Sequence, residues 1–207
     1  MNVLLAGATG LTGRFLLQQC LDSERCTQVF AYCRSQPGIQ HSKLTWLSFD
    51  RQPDAAIDVF MSTLGTTRKQ FGAKGLAYVD HELVLRCAQA AQAAGAGSAC
   101  ILSAVGADAK SLFLYNRIKG DMQRDVAALG FERLALFQPS VLLGQRGEHR
   151  PLEHFAGKIL SHPGFGRYQA LPAEAVAAAM WRAALLQHPG EYFYQVPDIQ
   201  QLNQSKE

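Results

Sequence analysis

Ser103, Tyr115 and Lys119 are residue types that together can deliver a proton to a forming alkoxide. Tyr115 and Lys119 stand four apart, so a helix through them puts both on one face. Reducing a carbonyl by hydride needs a proton for the nascent oxygen, and a phenol with an ordinary pKa near 10 is a poor acid at neutral pH. An ammonium about 4 Å away is worth roughly 4 kcal/mol at an effective dielectric of 20, about three pKa units before solvation losses. Lys119 would thereby make Tyr115 a usable acid, and Ser103 would hydrogen-bond the carbonyl oxygen. Of the six tyrosines, Tyr115 alone has Lys four residues on. The competing reading is a half-buried Tyr and a snorkelling Lys on an amphipathic helix. Against it stands Ser103, which closes an apolar run shortly before Tyr115.

A second pattern supplies a place for a cofactor. Gly7-Ala8-Thr9-Gly10-Leu11-Thr12-Gly13 joins an apolar strand-like run to a helical one. Glycines there let the backbone turn sharply and approach a pyrophosphate, while N–H groups at the helix start face the anion. The spacing G-x-x-G-x-x-G differs from the G-x-G-x-x-G of many NAD dehydrogenases, and a nucleotide-free turn is the alternative. The second strand end addresses the choice of nucleotide. An NAD site usually keeps an acid there for the ribose hydroxyl, and Cys26 through Phe49 contains none. Arg34 and Ser35 stand there instead, suited to a 2′-phosphate, so NADP(H) is expected over NAD(H). The alternative for Arg34 is a solvated surface side chain.

Strands and helices must position these groups. Val3–Ala6, Val29–Cys33, Leu44–Phe49, Val59–Thr63, Ala99–Ser103 and Leu134–Gln138 read as strands, with Tyr192–Val196 as the last strand. Leu11–Leu21, Val79–Ala94 and Tyr115–Leu129 read as helices, followed by Leu152–Leu160 and Ala173–Leu186. Strands apolar on both faces and separated by helices imply a parallel sheet covered on both sides, an α/β doubly wound Rossmann fold. One domain is expected over 1–207, with 1–139 as the dinucleotide-binding core and 140–207 as a small substrate-side extension.

The 207 residues are 48% hydrophobic and carry a net charge of +3, with no run of like charges that would drive phosphate-backbone binding. Nucleic acid is not expected as a partner. The five cysteines are odd in number and form no C-x-x-C pair, so a reducing, cytoplasmic setting is expected rather than a disulfide framework. No apolar stretch is long enough to span a membrane.

The motifs resemble the short-chain dehydrogenase/reductase superfamily, in its atypical NAD(P)-binding branch. The resemblance runs from GATGLTG through Leu64–Thr67, Leu102–Asp108, Phe113–Gln123 and Phe137–Arg146, and the later blocks look most like the oxidoreductases related to the animal Tat-interacting protein. It implies backbone contacts from Thr9, Leu11 and Thr12 to the pyrophosphate. It also implies Asp50 at the adenine edge and Leu64, Gly65 and Thr66 along the adenine ribose. Tyr115 and Lys119 would border the nicotinamide ribose, and Pro139, Ser140, Val141 and Leu142 would present backbone to the carboxamide. One departure concerns an Asn that many relatives carry as a proton relay after the fourth strand, since Tyr78-Val79-Asp80-His81 offers none. The tail is also shorter than in sugar-nucleotide epimerases, which disfavours a large substrate.

Weaker signals remain. His149, His154 and His162 lack metal-ligand spacing, so no metal is expected. Arg146, His149 and Arg150 would line a substrate mouth or form a solvated basic loop. The segment Thr66 to Gly75 reads as a mobile flap over the cofactor. The expected function is reduction of a small carbonyl substrate with NADP(H), using Ser103, Tyr115 and Lys119. The alternatives are an NADP(H)-binding regulator that reports to a protein partner, and an isomerase or epimerase using the same residues.

Overall fold

The computed structural model describes residues 1–35, 37–66, 68–144 and 163–204. Its first strand shows why the sheet is central. β1 (Asn2–Ala6) turns Val3 and Leu5 to one face and Leu4 and Ala6 to the other, and all four are fully buried. A strand apolar on both faces needs cover on both, and helices supply it.

Six further parallel strands join β1: β2 (Gln28–Tyr32), β3 (Leu44–Leu47), β4 (Val59–Ser62), β5 (Ser98–Leu102), β6 (Arg133–Phe137) and β9 (Gly190–Tyr194). The order is β3-β2-β1-β4-β5-β6-β9. Sequence order reverses between β1 and β4, and ligands of doubly wound sheets bind at that switch point. β7 (Leu142–Leu143) and β8 (Leu171–Pro172) form a separate short pair.

α1 (Gly13–Asp22), α5 (Ala173–Leu185) and α6 (Val196–Gln204) cover one face, burying Leu16, Leu17, Val176, Met180 and Ile199 against Val3, Leu5, Val29 and Met61. α3 (Leu83–Ala93) and α4 (Leu114–Ala127) cover the other, placing Leu83, Val84, Met122 and Val126 against Leu4, Phe30 and Phe60. The residues beyond 139 thus complete the core as well as follow it. β9 extends the sheet, with Tyr194 stacked on Phe137 at 4.8 Å between ring centroids.

Several boundaries differ from the sequence reading. The segment read as a flap overlaps α2 (Arg68–Ala77), broken at Gly72, whose φ of 66° no helix accepts. Val79–Ala94 is not uniformly α-helical, because Tyr78–Glu82 forms a π-helical turn ahead of α3. The last strand ends at Tyr194, and Val196 opens α6 instead. The expected helix Leu152–Leu160, the basic loop of Arg146, His149 and Arg150, and His154 and His162 lie outside the described residues.

Candidate active site

The turn after β1 is built on glycines that only a bare backbone satisfies. Gly7 has φ +89°, and a Cβ on it would stand 2.8 Å from the Leu64 nitrogen. A Cβ on Gly13 would stand 1.9 Å from the Gly7 oxygen, so this glycine lets α1 press against the β1 exit. Thr63 fixes the neighbouring strand end, its hydroxyl donating to the Gly7 carbonyl at 3.0 Å. Gly7 and Gly13 are therefore packing residues beneath the turn, while Thr9, Gly10, Leu11 and Thr12 line a cleft of about 790 Å³. Thr12 is buried, and its hydroxyl has no hydrogen-bond partner. A buried polar atom without a partner costs free energy unless a ligand satisfies it. Thr12 lines the cleft at the start of α1, where an anion is favoured, so these residues fit a dinucleotide pyrophosphate.

The same cleft is lined by Ser103, Tyr115 and Lys119, and also by Leu64, Gly65, Thr66, Pro139, Ser140 and Leu142. Ser103 continues the β5 ladder, donating its N–H to the Phe137 carbonyl at 2.7 Å. Tyr115 is 40% exposed in the first turn of α4, whereas Lys119, one turn on, is only 2% exposed. The loop between β5 and α4 is anchored by the two residues that follow Tyr115. Asn116 donates its amide to the Gly106 carbonyl at 2.7 Å, and Arg117 donates to the Ser111 carbonyl at 2.9 Å. The loop crosses α4 at Gly120, where a Cβ would come within 2.1 Å of the Ala109 nitrogen.

Asp80, Gln123, Gln138 and Gln195 were not read from the sequence. Asp80, fully buried on the π-helical turn, pairs with Lys119 at 2.9 Å between Oδ1 and Nζ, and accepts the Thr66 N–H at 2.8 Å on Oδ2. The segment that offers no Asn thus brings an acid to Lys119. Gln123 donates its side-chain amide to the Ser103 hydroxyl oxygen at 2.5 Å, and Gln138 donates to Gln123 at 3.3 Å. Gln195 donates to Gln138 at 3.4 Å, completing a chain of amides across the ends of β5, β6 and β9. The signal for Gln123 was present, since Tyr115, Lys119 and Gln123 repeat every four residues on one helix face. Arg14, Phe113 and Leu114 also line the cleft.

Four named residues lie elsewhere. Arg34 and Ser35 are exposed at the β2 exit, and Val141 lies outside the cleft lining, its carbonyl accepting the Leu171 N–H at 3.0 Å. Asp50 borders a separate hollow of about 270 Å³ with Phe49 and Arg86. A hydrogen bond from the Ser48 hydroxyl holds the Asp50 carboxyl below its ordinary range. All five cysteines are free thiols, and no group of three His, Cys, Asp or Glu among the described residues could hold a metal ion. No helix among the described residues is long and apolar enough to cross a membrane.

No family model matches the chain. It is 37% identical over 183 residues to Protein FMP52, mitochondrial, of Eremothecium gossypii, covering 83% of this chain and 80% of that protein. It is 34% identical over 191 residues to Protein HTATIP2 of Rattus norvegicus, covering 86% and 79%. Among solved structures it resembles MoeE5 in complex with UDP-glucose and NAD, with a TM-score of 0.70 at 14% identity over 96% of this chain and 79% of that one. It also resembles the human epimerase family protein SDR39U1 with NADPH, with a TM-score of 0.64 at 16% identity over 95% and 75%. These likenesses show the Rossmann fold. The fungal name corrects one expectation, because relatives called mitochondrial overturn the cytoplasmic setting inferred from the cysteines. Thiol usage reports a redox state and does not choose among compartments that share it.

Proposed function

The chain belongs to the family of the fungal FMP52 proteins and HTATIP2, a family of short-chain dehydrogenase/reductase type, and from that membership we propose that it is an NADP(H)-dependent oxidoreductase reducing a small carbonyl compound. The observation that carries the reading is the convergence of Ser103, Tyr115 and Lys119 on the cleft that also holds the glycine turn. The dinucleotide, when bound, supplies the hydride.

The residues of the chain do the rest. Ser103 hydrogen-bonds the substrate oxygen through its hydroxyl, keeping its own proton, and holds that oxygen beside the phenol. Tyr115 gives its proton to that oxygen as the alkoxide forms. Lys119 favours the phenolate left behind, and borders the nicotinamide ribose. Thr9, Leu11 and Thr12 hold the pyrophosphate, Leu64, Gly65 and Thr66 run along the adenine ribose, and Pro139 to Leu142 meet the carboxamide. Arg34 and Ser35 take the 2′-phosphate, for which their exposure at the β2 exit leaves room. Asp50 serves the adenine edge. The fungal relatives' name extends to this chain as a proposed mitochondrial setting.

Fluorescence titration with NADPH and NADH, together with NADPH oxidation against carbonyl probes, tests this. NADPH is expected to bind more tightly than NADH, and Arg34→Ala to weaken it by about 1.5–3 kcal/mol. Tyr115→Phe should keep NADPH affinity and lose turnover. Binding of neither nucleotide would remove the reading. Binding without turnover would leave a cofactor-binding protein, and substrate conversion without net NADPH loss would make it an isomerase.

A further inference from the structure

Asp80 and Lys119 form an ion pair in which the side chains are 0% and 3% exposed. Taking two charges out of water costs several kcal/mol per ion, and apolar replacements of such pairs are often as stable. Stability alone therefore gives no reason for this pair, and its location gives one. Lys119 and Tyr115 both line the cleft, whereas the buried Asp80 does not. Asp80 Oδ1 meets the Lys119 ammonium by charge alone, with no hydrogen bond, while that ammonium donates to the Leu102 carbonyl at 3.4 Å, and Asp80 Oδ2 accepts the N–H of Thr66, which also lines the cleft. The residue is carried on a π-helical turn, a form that often marks functional sites.

We propose that Asp80 is a positioning residue for the acid of this site: its carboxylate fixes the Lys119 ammonium and offsets much of its charge, so that ionisation of Tyr115 is set by the pair and not by Lys119 alone. This rests on the reading of Tyr115 as proton donor. A lone ammonium about 4 Å from a phenol would favour the phenolate by roughly three pH units, whereas an ammonium paired with a carboxylate acts as a dipole whose field falls off faster. Apart from Arg14, the other charges near these elements are engaged elsewhere or exposed. His81 and Asp125 pair at 2.7 Å, Arg124 binds Asp121 and Asp125, Arg117 donates to the Ser111 carbonyl and Arg86 to the Phe49 carbonyl. Lys74 on α2 is exposed, and Arg14 lines the cleft from α1.

The test is ring-labelled tyrosine NMR across pH on the full chain, with the Tyr115 signal identified by its loss in Tyr115→Phe. Asp80→Asn keeps the volume and an acceptor for Thr66 but deletes the charge. Its Tyr115 phenolate should form at least about one pH unit lower than in the wild type. The basic limb of NADPH oxidation, read with phenanthrenequinone as probe, should move the same way. An unmoved phenolate in folded Asp80→Asn overturns the proposal. Should that variant fail to fold, Asp80→Asn with Lys119→Gln removes both charges. The proposal then expects the phenolate within about one unit of wild type, and a rise of about three units, the value for losing an uncompensated ammonium, overturns it. A wild type that binds NADPH without oxidising it removes the reductase reading, and the phenolate measurement still decides the role of Asp80.

Discussion

Ser103 receives the Gln123 amide, Gln123 receives Gln138 and Gln138 receives Gln195, so the serine oxygen is located by side chains from three elements. Gln123→Leu leaves Ser103 and Gln138 without these partners, and under the proposed role of Ser103 as an oxyanion donor its misplacement costs about a hundred-fold in kcat. The expected result is that loss in probe turnover, with NADPH affinity unchanged by titration. Asp125 gives a pH prediction at the same scale. Hydrogen bonds from Arg124 and then His81 hold its carboxyl below the ordinary carboxylate range. A carboxyl depressed in the folded state stabilises the protein above its unfolded value, and the contribution fades as pH falls through the folded one. Asp125→Asn should therefore flatten the acid side of the stability curve in thermal melts, modestly because the pair is partly exposed. The glycine turn and the Tyr-x-x-x-Lys spacing were legible because each lies within one local segment. Asp80, Gln138 and Gln195 were not, because their partners are distant in sequence and only the sheet brings them together.

α4 unites the site, carrying Tyr115, Lys119 and Gln123 on one face and Ile118, Met122 and Val126 into the core. Its register is fixed by the loop crossing at Gly120. Gly120→Ala would drive a Cβ into the Asp108 and Ala109 backbone, which cannot rotate aside as a side chain would. Overpacking of this kind costs about 1–3 kcal/mol, so a lower melting temperature is expected, with turnover reduced beyond the fraction unfolded as Tyr115 shifts. The helix now seen as α3 and the buried strands were readable from period. α2 was not, because Arg68–Ala77 contains two glycines and a polar opening that read as loop. The π-helical turn has no sequence signature of its own.

In the molecule as a whole two apolar layers enclose one sheet, and central strands feel both. Phe60 on β4 is fully buried in the layer under α3 and α4, so Phe60→Ala is expected to cost about 3–5 kcal/mol in denaturant unfolding. Burial pushes the Cys87 and Cys100 thiols up to about 12, so both should resist alkylation in the native protein and react on unfolding. The sequence by itself determined the alternation of strands and helices, the parallel sheet and the two local motifs, because period, glycine placement and four-residue spacing act over short range. The tertiary structure decided which groups meet. It set Asp80 against Lys119, strung glutamines behind Ser103 and left Thr12 lining a cleft, because these distances follow from strand order and helix packing, which local sequence does not encode.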